Sequence, residues 1–254
     1  MRVPPARARD IRVAGLVSSI LQALASGSDV DRDNVLTNLM PALLAEDPLA
    51  ATAWVGSLRP EEGREELLRR FAQDWAAIDP AAALSWAEQL PDFDARRSAL
   101  SDIVTEMAQN NPADAISAAE RYQLGSTDPA LLPNLAGTWA ERDLAAAIGW
   151  ANLQPPGEQR DQVLARLAMI ESKVEPVEAA TRVLTDIPPG AVQVEAVMST
   201  LNQWAARDFD SAAAWVAQFP QGSLRDRALA ELSGIQAYQM AVESPSPNTS
   251  QSLP

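Results

Sequence analysis

Apolar residues along this chain recur at the spacing of one helix face. They fall at Ala82, Ala83, Trp86 and Leu90 in one stretch, at Ala99, Leu100, Ile103, Val104 and Met107 in a second, and at Val163, Leu164, Leu167 and Ala168 in a third. A period near 3.6 predicts amphipathic α-helices. The runs are short and are cut off by Pro60, Pro91, Gly125, Pro155, Pro188 or Pro220, residues that end a helix.

The runs are copies of one unit. Asp47-Pro48-Leu49-Ala50-Ala51-Thr52-Ala53-Trp54 returns as Asp79-Pro80-Ala81-Ala82-Ala83-Leu84-Ser85-Trp86, as Asn111-Pro112-Ala113-Asp114-Ala115, and as Asp143-Leu144-Ala145-Ala146-Ala147-Ile148-Gly149-Trp150. It recurs again at Glu175-Pro176-Val177-Glu178-Ala179-Ala180 and at Asp208-Phe209-Asp210-Ser211-Ala212-Ala213-Ala214-Trp215. The starts at 47, 79, 111, 143, 175 and 208 are 32 or 33 residues apart. Asp or Asn at the start can accept from free amides of the first helical turn, and Pro behind it has no amide to leave unsatisfied. A second helix follows in each unit, so each unit reads as a helical hairpin. All seven Trp obey the register: Trp54, Trp86, Trp150 and Trp215 lie seven residues after a start, while Trp75, Trp139 and Trp204 lie four before one. Met107 and Ala118 replace one such pair, Glu171 and Arg182 another.

Counting back 32 residues places a further copy near 15, with Arg32 in register with Arg64 and Pro41 inside its second helix, where it should kink or shorten that helix. A lone hairpin of this length cannot bury its apolar face, whereas stacked copies bury one another's. The sequence therefore predicts an all-α protein, a right-handed α-solenoid of about seven antiparallel helical hairpins over 11–242. A flexible segment over 1–10 and a disordered, Pro- and Ser-rich tail over 243–254 flank it.

Composition narrows the chemistry. The 254 residues contain no His and no Cys, which excludes imidazole general bases, Ser-His-Asp and Cys-His systems, disulfides and nearly all zinc sites. With 20 basic and 34 acidic side chains the net charge is −14, which argues against a nucleic-acid partner. No apolar run reaches the length of a membrane span, so membrane insertion is not expected. The first 25 residues make a poor signal peptide, and a cytoplasmic location is the expectation, to be replaced by a secreted or tethered one if the start is truncated.

The stretch from Trp139 through Glu141-Arg142-Asp143 to Trp150 resembles the second half of a tetratricopeptide-type unit, although the first helix lacks that family's Trp-x-x-Leu-Gly-x-x-Tyr pattern and the period is shorter. More closely, Trp-Ala-x-x-Asp-Pro-x-Ala-Ala-x-x-Trp-x-x-x-Leu-Pro followed by Arg is similar to tandem repeats of bacterial proteins, notably from planctomycetes and verrucomicrobia. The resemblance covers about nine-tenths of the chain and implies a tetratricopeptide-like or HEAT-like α-solenoid that binds protein or peptide.

Two sets of residues bear on function. Arg32, Arg64, Arg96, Arg160 and Arg225 recur at the start of the second helix, with Asp128 and Val192 in the remaining copies. Such a ladder could clamp an anion, or each Arg could bond loop carbonyls or carboxylates such as Glu61, Glu62, Asp92, Asp94 and Glu158. Phase with the structural Trp favours the second role. Positions off the apolar stripe of the second helix change from copy to copy, as a ligand-reading surface would: Arg70, Asp102, Asn134, Arg166, Ser199 and Glu231. The expectation is a non-catalytic interaction scaffold for a protein or peptide, with no cofactor, no metal and no catalytic residue. A structural spacer or oligomerisation module is the alternative. A carboxylate-based α/α-toroid hydrolase is more remote, because the acidic residues fall at caps and exposed faces.

Overall fold

The computed structural model describes residues 5–57 and 64–243, with side chains described over 7–55 and 65–240. Every regular element among them is helical. The helices fall into two compact units, residues 1–131 and 132–254. None is long and apolar enough to cross a membrane.

The first unit contains α1 (Pro5–Ala25), α2 (Asp29–Asn34), α3 (Met40–Glu46), α4 (Pro48–Ser57), α5 (Arg64–Ile78), α6 (Pro80–Glu88), α7 (Phe93–Ala108) and α8 (Pro112–Arg121). The second contains α9 (Leu131–Ala140), α10 (Leu144–Leu153), α11 (Glu158–Glu171), α12 (Pro176–Thr185), α13 (Ala191–Ala205), α14 (Phe209–Ala217) and α15 (Ser223–Glu243). Successive helices from α3 to α8 and from α10 to α15 pack on each other, so the chain folds back at those junctions. The second helices also pack on one another: α5 on α7, α11 on α13 and α13 on α15.

The helix starts form as their sequence directs. The side chains of Asp79, Asp143 and Asp208 accept from the amides of Ala82, Ala146 and Ser211 at 2.9–3.0 Å, and Asp47 accepts from Leu49 and Ala50 at 3.1 Å. Asn111 accepts from Asp114 at 3.3 Å, while Glu175 makes no such bond. Its longer side chain holds the carboxylate too far from the first-turn amides, which Asp and Asn reach.

The N-terminal part departs from the frame. The chain is helical from Pro5, and the start near 15 falls inside α1. Arg9 and Arg12 anchor this helix: Arg12 forms a fork to Glu46 at 2.8 and 2.9 Å, and Arg9 reaches the Glu46 carbonyl and the Asp47 carboxylate. The α-helix is divided near Pro41: a π-helical turn, Val35–Leu39, separates α2 from the seven-residue α3, Pro41 sits in the first turn of α3, and the Met40 amide reaches the Val35 carbonyl five residues back. Proline in the first turn of α3 has no amide to leave unsatisfied there. The tail expected over 243–254 lies outside the described residues beyond Glu243.

The Trp register is a packing register. Trp75 and Trp86 meet with ring centroids 5.8 Å apart, Trp139 and Trp150 at 6.3 Å, and Trp204 and Trp215 at 5.8 Å. Leu43 and Trp54, with the same separation of 11, are both buried. Glu171 and Arg182 occupy this register as a two-pronged ion pair: Nε donates to Oε2 at 2.8 Å and Nη2 to Oε1 at 3.0 Å, with Glu171 only 3% exposed. A buried charge pair therefore stands where other copies stack indoles.

A second column is apolar in all copies but one: Phe71, Ile103, Leu135, Leu167 and Leu232 are buried, and Thr200 is fully buried with a hydroxyl that has no hydrogen-bond partner among the described residues. An unsatisfied buried hydroxyl costs about 1–3 kcal/mol. Thr200→Val keeps the shape and removes that hydroxyl, so urea unfolding should show a protein stabilised by about 1 kcal/mol.

Candidate functional site

Both candidate sets lie on the second helices. The Arg ladder is engaged by the fold. The Nη1 of Arg96 donates to the Leu90 carbonyl at 2.9 Å, and that of Arg225 to the Phe219 carbonyl at 3.3 Å, each six residues back at the end of the preceding helix. Arg160 instead reaches forward to the Asp186 carbonyl at 3.2 Å. Carbonyls at a helix end lack intrahelical partners, and a guanidinium supplies them. Arg32 is exposed, and the side chain of Arg64 lies outside the described residues.

The fifth copy corrects the sequence register. Val192 is the expected occupant of the ladder, yet the equivalent contact is made by Gln193, whose Nε2 donates to the Ile187 carbonyl, six residues back, at 2.8 Å and to the Val183 carbonyl at 3.2 Å. The extra residue of this 33-residue copy lies before α13 and shifts the column by one. The lone 33 in the spacing is the signal that could have revealed it.

The variable column divides between the two units. In the first, Arg70 on α5 is exposed and pairs with Asp74 at 3.1 Å one turn on. Asp102 on the adjoining α7 is half-buried, with Oδ2 lacking a hydrogen-bond partner among the described residues. In the second, Asn134 on α9 is exposed, while Arg166 on α11, Ser199 on α13 and Glu231 on α15 are half-buried.

A regularity that the sequence did not reveal explains the partial burial. Asp102 lies near the side chain of Gln73, 29 residues earlier, and Glu231 accepts from Asn202 Nδ2 at 3.0 Å, again 29 residues earlier. Arg166 lies over Gly137, also 29 earlier, where a Cβ would sit 3.0 Å from its Nε. The column thus runs along the seams between successive second helices and leans on the helix before it. Two of the seams open into hollows. One of about 460 Å³ is lined by Glu65, Arg69, Asp94, Ser98 and Asp102, and one of about 490 Å³ by Asn202, Glu231, Ile235 and Tyr238.

Burial pushes the Asp102 carboxyl up to about 6, against the opposing pull of Arg69 and Gln73. An acid that is harder to ionise in the fold than in the unfolded chain supports folding below its ordinary range, and this support is lost as pH rises through about 6. A displacement of that size sets a ceiling of about 3 kcal/mol, which screening at a half-exposed site reduces to about 1 kcal/mol. Asp102→Asn should therefore be neutral at about pH 4 and stabilising by about 1 kcal/mol at about pH 8, measured by urea unfolding at both.

The site offers hydrogen-bonding groups and charges of both signs on helix faces. Among the described residues no three acidic side chains converge to hold a metal ion. Comparison with protein-family models, with curated proteins and with solved structures finds no match for this chain.

Proposed function

We propose that the protein is a non-catalytic interaction scaffold. Its helices stack as a right-handed α-solenoid of about seven antiparallel hairpins, and a protein or peptide binds along the seams of the second helices. One observation carries this reading: Asp102 and Glu231, members of the variable column, line hollows between successive second helices. The columns held constant from copy to copy are meanwhile engaged in packing or in loop carbonyls. A surface that keeps its register while changing its side chains suits recognition of one particular partner. The likeness to bacterial tandem repeats points the same way.

Affinity capture from the native organism followed by mass spectrometry identifies the partner, and direct binding then tests the surface. Exchanging Arg70, Asn134 and Arg166 together should weaken binding by at least about 10-fold. Undiminished binding would place the partner elsewhere, and a spacer would bind nothing through this face.

A further inference from the structure

Two junctions between neighbouring helix pairs are crossed by a guanidinium 26 residues before its acceptor. Arg97 Nη2 donates to the Gln123 carbonyl at 3.4 Å and to Ser126 Oγ at 3.2 Å, and Arg160 Nη1 donates to the Asp186 carbonyl at 3.2 Å. The same step back from Phe219 arrives at Gln193, a shorter side chain that turns back onto the end of α12 and the loop after it, at Val183 and Ile187. The cleft between α12 and α13 on one side and α14 and α15 on the other has no such bridge among the described residues. It holds a cavity of about 770 Å³, against about 210 Å³ beside Arg97.

Its chemistry is unlike the rest of the surface. A fifth of the chain is charged, yet none of the thirteen residues lining this cavity is ionisable. Val194, Trp215, Phe219 and Leu224 supply an apolar interior, and Leu184, 39% exposed, holds hydrocarbon in water at the lip. The neutral polar groups sit among them: Gln193, 7% exposed, has both amide protons committed to carbonyls, so Oε1 is what it can offer a ligand, and exposed Gln218 and Ser223 flank the opening.

We infer that this cleft takes an uncharged, extended peptide segment with an apolar side chain, the segment by which a partner engages the scaffold. This inference rests on the scaffold reading and names its partner's chemistry. The size suits one or two apolar side chains. A charged ligand would be desolvated against a lining that has no counter-charge to offer. A bare hydrocarbon would leave the amide and hydroxyl groups unpaired, whereas a peptide backbone carries the N–H that an amide oxygen accepts and the carbonyl that a hydroxyl donates to.

The test is a titration of the full-length, methyl-labelled protein with the capped peptide acetyl-Ala-Leu-Pro-Leu-Ala-amide, read by NMR. Saturable shifts are expected at the Leu184, Val194 and Leu224 methyls below about 1 mM peptide. Leu184→Asp, a change at the exposed lip that leaves the interior intact, should weaken binding by at least about 10-fold. Exchanging Arg70, Asn134 and Arg166 should leave the titration unchanged. Silent methyls, equal binding by Leu184→Asp, or saturation by cyclohexanol with no response to the peptide would each overturn the proposal. A partner lost on exchanging Arg70, Asn134 and Arg166 but indifferent to Leu184→Asp would overturn the cleft and leave the scaffold standing.

Discussion

Trp204→Ala should lower the free energy of unfolding by about 3–5 kcal/mol, and Trp215→Ala by a similar amount. The rings are 7% and 8% exposed and meet at 5.8 Å, and Trp215 also presents an edge to Phe219 at 4.8 Å. Each truncation removes a large apolar surface and opens a cavity between α13 and α14 that neighbouring helices fill only in part. Because the two indoles share a contact, the double variant should fall short of the summed losses by about 0.5–1.5 kcal/mol. Trp150, on the same column but half-buried, should cost less on truncation. Urea unfolding followed by circular dichroism measures all four values. Fully additive losses would mean that the indoles do not support each other.

Arg182→Ala should be at least as damaging, at about 3–5 kcal/mol, because it strands the Glu171 carboxylate in the interior. The two partners are not equivalent. Both Glu171 oxygens are held by Arg182, and the Glu171 side chain is 4% exposed. Arg182, by contrast, is 18% exposed and keeps a second carboxylate, Asp186, at 3.3 Å. Glu171→Ala should therefore cost less, about 2–3 kcal/mol, with Asp186 still satisfying part of the guanidinium. The same unfolding experiment ranks them, and the reverse order would show that Asp186 does not compensate.

Much of the fold was legible in the sequence, for reasons visible in single residues. Asp79, Asp143 and Asp208 announce helix starts through a local bond to an amide three residues on, and local chemistry leaves a local trace. The Trp pairs were legible because a separation of 11 recurs in phase with those starts. What escaped depends on distant partners or on a shift in register. The helical start at Pro5 is secured by Arg9 and Arg12 against Glu46 and Asp47, more than thirty residues away. The π-helical turn that precedes Pro41 is marked by no periodicity. Glu171 and Arg182 replace a Trp pair, and residue type alone does not reveal their two-pronged bond. The variable column was found by its register, but its lean onto the preceding helix, 29 residues back, needed coordinates.

If the copies are physically equivalent, a buried ion pair in one does what stacked indoles do in another. Double replacement of Glu171→Met and Arg182→Met tests it most directly, by urea unfolding beside the two single variants. Apolar side chains of matching size restore the kind of contact that the other copies make. The double variant should unfold within about 1 kcal/mol of the parent or at higher urea, although each single change is strongly destabilising. A double variant as unstable as the two single losses combined would contradict the equivalence.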